Sequence, residues 1–123
     1  MSSEQSLALA KKHLDRVQDA LTDPPDWLEI STFGFYALEA SVVAAAEHVG
    51  VAVARTHPGK VKAAAALSAD HGLPDVAGLL YELNVARKSE AYGDVAFPSG
   101  LDAEEVCADI EEFVQAVELL LGT

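Results

Sequence analysis

Leu7, Ala10, Leu14, Val17 and Leu21 recur at alternating spacings of three and four residues, the repeat of a single apolar stripe along a helix. The pattern predicts a helix from about Ser3 to Leu21. Asp23, Pro24 and Pro25 end it, because proline lacks an amide hydrogen and restricts the residue before it. Asp26 then offers a cap for a second helix over about Trp27 to His48, which contains Phe33, Phe35, Tyr36, Leu38 and the almost unbroken apolar run of residues 40–46. A helix that is apolar nearly all round is normally enclosed by others, so this segment reads as the central element. Gly50 suits its C-terminal cap.

After the short stretch 51–55, Thr56, His57, Pro58 and Gly59 read as a loop. A short helix is expected from about Gly59 to Ser68, with Val61, Ala65 and Leu67 on or near one face. Asp70, His71, Gly72 and Pro74 make the next break, and Pro74 suits the first turn of a fourth helix. Val76, Leu79, Leu80, Leu83 and Ala86 carry its stripe to about Tyr92. Gly93, Pro98, Ser99 and Gly100 form the last loop. A fifth helix starts near Asp102, with Glu104 and Glu105 beside the positive end of its dipole and with Val106, Ile110, Phe113, Val117, Leu120 and Leu121 as its apolar line. Residues 51–54 alternate little in polarity and have no second strand to pair with, so no sheet is expected. The predicted fold is all-α, an antiparallel bundle of four to five helices. Its expected core includes Leu14, Phe33, Leu38, Val42, Leu80, Leu83, Ile110, Phe113 and Val117.

Length and composition agree with one globular domain over residues 1–123: half of the residues are hydrophobic, enough for one core without metal or disulfide staples. The single Cys107 leaves no intramolecular disulfide and no paired-cysteine motif, which fits a reducing, cytoplasmic compartment. Charges are mixed into the first turns, unlike a signal peptide, and no unbroken apolar run approaches the roughly 18 residues of a membrane span. No membrane association is expected. Charge narrows the partners further. Against 8 Lys and Arg stand 20 Asp and Glu, a formal net charge of −12, and every basic residue lies at or before Lys88. Binding to nucleic acid by counterion release needs a basic surface, so unaided DNA or RNA binding is not expected.

Familiar chemical motifs are missing from the chain. It contains no glycine-rich phosphate loop, no HExxH and no GxSxG. His13, His48, His57 and His71 are scattered without partners at ligand spacing, and no Glu-x-x-His pair of the di-iron bundle type occurs. No metal and no cofactor is expected. The paired acids Glu104, Glu105, Glu111 and Glu112 read as a solvated face. One arrangement departs from this pattern: at 100° per residue, Arg87 falls in the middle of the stripe formed by Val76, Leu80 and Leu83. An unpaired buried guanidinium would be severely costly, so Arg87 must snorkel to solvent, meet an acid of the second helix such as Glu29 or Glu39, or line a polar cleft.

The string LeuTyrGluLeuAsnValAlaArgLysSerGluAlaTyrGlyAsp at 80–94 resembles the HEPN family of small helical domains, in which an Arg is followed by an (A/D)YG(D) ending. Residues 33–50 are similar to the family's aromatic- and alanine-rich second helix ending in Gly, and Thr56–His57 resembles the (T)H that often follows. These stretches span about residues 27–94 in the family's order. The resemblance implies a bundle of four or five antiparallel helices, commonly a homodimer. Members are often encoded beside a minimal nucleotidyltransferase, as toxin and antitoxin partners or as a substrate-binding subunit. In RNA-cleaving members an Arg is followed after four to six residues by a His, and the two act at the dimer cleft. Carried over, the Arg matches Arg87, but Tyr92 or its neighbours fill the His position and no histidine follows His71. Tyrosine, with an ordinary pKa near 10, is a poor general base at neutral pH.

The leading expectation is therefore a non-catalytic HEPN-like binding module, dimeric, that partners a minimal nucleotidyltransferase or binds a nucleotide-like ligand near Arg87, Tyr92 and His57. One alternative is a metal-independent ribonuclease toxin in which Arg87 and Tyr92 replace the usual pair. Another is a purely structural interaction bundle. The homodimer is expected to use the second and fourth helices, because the second is apolar nearly all round and Leu73 and Val85 lie outside the fourth helix's main stripe.

Overall fold

The computed structural model describes residues 2–91 and 101–122, with side chains in the first segment described through residue 88. Five helices follow in order: α1 Ser3–Asp19, α2 Trp27–Val49, α3 His57–His71, α4 Ala77–Ala91 and α5 Ala103–Leu121. Among the described residues there is no strand, and the fold is an all-α bundle.

Local chemistry accounts for the helix ends. Ser2 and Gln5 form a reciprocal capping box at α1, while Asp26 and Asp102 accept the amide hydrogens of Glu29 and Glu105 at 3.2 and 3.1 Å. Gly50, Gly72 and Gly122 close α2, α3 and α5 in the left-handed conformation. α1 stops at Asp19 rather than Leu21: the Leu21 amide turns to the Gln18 carbonyl three residues back, and the Ala20 carbonyl accepts from the Asp26 amide, since Pro24 has no amide hydrogen to continue the helix. Thr56–Gly59 is not a loop but the start of α3. Thr56 caps it by accepting from the Gly59 amide at 3.1 Å, and Pro58 is tolerated in a first turn whose amides lack intrahelical acceptors. α3 also continues to His71, and its buried residues are Ala63, Ala64 and Leu67, with Ala65 outward. Pro74 precedes α4 instead of opening it; the Ala77 amide donates to the Asp75 carboxylate at 3.2 Å.

α2 is the central helix, packed against α1, α3, α4 and α5. By length and composition it could cross a membrane although its apolar run is not unbroken, but most of that stretch is buried inside the bundle. Phe35, Leu38, Val42, Leu80, Leu83, Ile110, Phe113 and Val117 are buried almost completely. Each such side chain contributes on the order of 1.5–3 kcal/mol of burial. Phe33, expected in the core, sits at its edge under the Arg16 guanidinium, and Phe35 takes the interior place. Gly34 lets α2 approach α5 closely: a Cβ there would lie 2.9 Å from Ile110 Cδ1.

Most of α2 is covered by its own chain, with Leu28 and Tyr36 its exposed large apolar side chains, and Leu73 is buried, so the surplus apolar surface is smaller than the sequence suggests. On α4, Tyr81 and Val85 are exposed one helical turn apart.

Candidate functional site

The first turn of α3 faces the middle of α2 and the last turns of α4, and there the described polar side chains converge. Glu39, on α2, is buried, and its Oε2 lies 2.7 Å from His57 Nδ1. Lys60, one turn along α3 from His57, reaches the other carboxylate oxygen at 3.4 Å. On the far side of the imidazole, Nε2 is 3.3 Å from Arg87 Nη2. A carboxylate only accepts and a guanidinium only donates. Both contacts of His57 are therefore satisfied by one neutral tautomer, with the proton on Nδ1 and the Nε2 lone pair toward Arg87.

Arg87 does lie inward, half-buried, as its place in the α4 stripe requires. Its Nε donates to Asn84 Oδ1 at 3.0 Å, and its guanidinium carbon sits 4.6 Å from the centre of the buried Phe35 ring. That ring also meets His57 edge to face at 5.0 Å, so one phenyl group fixes both. The expected partner acid is not in direct contact: Glu29 pairs with Arg16 at 3.2 Å, and Glu39 reaches Arg87 only through His57. Among the described residues no carboxylate lies within ion-pairing distance of Arg87, and three of its five N–H groups have no protein acceptor. The formal charges of Glu39, Lys60 and Arg87 leave one net positive charge in a strongly acidic chain.

Arg87 and His57 are thus brought together from α4 and α3. Tyr92 lies outside the described residues. Lys60, Phe35 and Asn84 were not singled out in the sequence, although each stands three or four residues from a partner: Lys60 from His57, Phe35 from Glu39 and Asn84 from Arg87. That spacing puts each pair on one helix face. Which face of α2 meets α3 and α4 is a matter of packing, and helical spacing does not reveal it.

An open-mouthed cleft of about 230 Å³ adjoins the cluster between α1, α2 and α3, bordered by Glu39 and Lys60 as well as His13, Tyr36, Leu9 and Ala40. Burial pushes the His13 imidazole below its ordinary pKa, and the Arg16 cation adds to this. A larger cleft of about 580 Å³ lies at the α1–α2 loop and the start of α5, away from these groups. Cys107 is buried in α5, and that burial, helped by Glu111, pushes its thiol up; it is not an activated nucleophile. Among the described residues no group of three or more His, Cys, Asp or Glu could hold a metal ion. Comparison with protein-family models, curated proteins and solved structures finds no match to this chain.

Proposed function

We propose that the protein is a non-catalytic HEPN-like binding module whose Arg87 and Lys60 take the phosphate of a nucleotide-like ligand, with His57 holding Arg87 in place. The observation that carries this reading is the state of Arg87. It is stacked on Phe35 and steadied by Asn84 and His57, with three donors unused and no carboxylate beside it among the described residues. A guanidinium held in place with its fork free suits the geometry of a phosphate, and little side-chain entropy remains to be lost on binding. The resemblance adds the family's associations: a minimal nucleotidyltransferase as partner, and twofold pairing of this chain, for which exposed Tyr81 and Val85 are the apolar groups available on α4. The test is calorimetric titration with inorganic phosphate and adenosine 5′-monophosphate. Saturable binding should weaken at least tenfold in Arg87→Ala and recover only in part in Arg87→Lys, which keeps the charge but loses the fork. Absence of binding at millimolar ligand would refute the reading.

One observation favours a second reading, a metal-independent ribonuclease. The histidine missing from the end of α4 has a spatial substitute, since His57 stands 3.3 Å from Arg87 with Glu39 behind it in the manner of an oriented general base. Net charge opposes it, because an RNA chain must approach an acidic surface. Incubation with end-labelled single-stranded RNA at physiological salt separates the two. The binding-module reading expects intact RNA; cleavage lost in both Arg87→Ala and His57→Ala would establish the ribonuclease.

A further inference from the structure

We infer that the cleft beside the cluster is a base subsite, and that the ligand is a nucleoside monophosphate with an amino-bearing base. This rests on the phosphate-binding reading of Arg87 and Lys60 and adds the half of the ligand that reading leaves open.

Three observations carry it. The cleft and the cluster share Glu39 and Lys60, and Tyr36, which borders the cleft, lies with its ring centre 5.9 Å from the Arg87 guanidinium carbon. A ligand held by its phosphate at Arg87 therefore has an adjoining space for its remainder. At about 230 Å³ that space is below the roughly 300–1,000 Å³ of drug-sized sites, so it takes one small ring system rather than an extended chain. Its walls suit a flat heterocycle: the His13 and Tyr36 rings lie 5.6 Å apart, and Leu9, Ala40 and Val43 supply apolar surface. Such rings offer stacking faces to a base.

Polar chemistry at the cleft selects among bases. The Glu39 carboxylate can only accept, so it favours an exocyclic amino group over a carbonyl in the same place. Lys60, already drawn to Glu39 at 3.4 Å, balances that charge. A second cleft touching Lys60, lined by Val51, Val53 and Arg55, includes neither Glu39 nor Tyr36 and has no aromatic wall.

The experiment compares inorganic phosphate, adenosine 5′-monophosphate and inosine 5′-monophosphate by calorimetry on the wild-type chain, on Ala40→Phe and on Leu9→Trp. Both variants fill the cleft from different helices, and circular dichroism confirms that each is folded. The base should improve binding over phosphate by roughly five- to hundredfold, the scale of base stacking on aromatic groups. Filling the cleft should abolish that advantage and leave phosphate affinity unchanged. Inosine monophosphate should bind more weakly than adenosine monophosphate. If phosphate binds through Arg87 but the base adds nothing, or its advantage survives both fillings, the subsite is wrong and the phosphate reading stands. Equal affinity for the two nucleotides overturns the amino assignment. Failure of phosphate and of both nucleotides to bind overturns both readings together.

Discussion

Glu39→Gln is the substitution whose consequence follows most directly from the geometry. Glutamine keeps the shape of the side chain and can still accept from His57 Nδ1, but its amide group then faces Lys60 donor to donor. Losing a charge-assisted hydrogen bond costs about 1.5–3 kcal/mol when the abandoned partner stays buried. Lys60 and His57 retain side-chain exposures of 21% and 40%, so both can turn partly to water, and about 1–2 kcal/mol is expected. For a domain of this length that lowers the melting temperature by roughly 3–10 °C. Glu29→Gln is the control, because Glu29 joins Arg16 in an exposed pair whose loss should cost roughly 0–1 kcal/mol. Thermal and urea unfolding of both variants, of His57→Asn and of the double variant Glu39→Gln/His57→Asn give a double-mutant cycle. A coupling of at least about 0.5 kcal/mol between residues 39 and 57 is expected. Additive effects, or a Glu39→Gln variant no less stable than Glu29→Gln, would refute the convergence of α2, α3 and α4 on this carboxylate.

Phe113→Ala should destabilise by about 3–5 kcal/mol through the cavity it leaves, whereas Leu119→Ala, at a side chain 80% exposed, should stay within about 0.5 kcal/mol; urea titration reads both. Gly59→Ala would place a Cβ 2.6 Å from that of Ala54 and 3.1 Å from the Ala54 carbonyl oxygen, so the turn that presents His57 must move. Its melting temperature and its phosphate affinity should fall together. Because His13 is held below its ordinary pKa of about 6.5, the unfolded chain binds more protons just below that pH. His13 therefore contributes stability that is present above about pH 6.5 and is lost as pH falls toward its folded-state pKa. Urea unfolding from pH 7.5 to 5 should show that decline, and His13→Gln should make it shallower.

The elements legible in the sequence are those whose signal is local. The stripes of α1 and α5, the cap Asp26, the start of α5 near Asp102 and the closing Gly50 all follow from residues within a few turns. α3 is less legible because alanine lines it on several sides, so periodicity hardly marks its buried face, and because Pro58 signals a loop as readily as a helix start. The inward lean of Arg87 is visible as a cation in an apolar stripe. The arrangement around it is not: Glu39 is one of several acids the second helix offers and His57 is joined to Arg87 only by the resemblance, while the stacking on Phe35 and the relay from Glu39 through His57 depend on how the faces of α2, α3 and α4 pack. The enclosure of α2 shows the same limit: an apolar helix reads identically whether its own chain or a second copy covers it.

On the proposed reading a phosphate-bearing ligand sits on Arg87 and Lys60, against His57. Chemical-shift mapping of the isotope-labelled protein during titration with adenosine 5′-monophosphate tests it most directly. The expected result is saturable shifts centred on the amides of residues 56–60 and 84–88, on the Arg87 Nε–H and on the His57 ring, all absent in Arg87→Ala. Shifts clustered at the cleft between the α1–α2 loop and α5, or none at millimolar nucleotide, would contradict it.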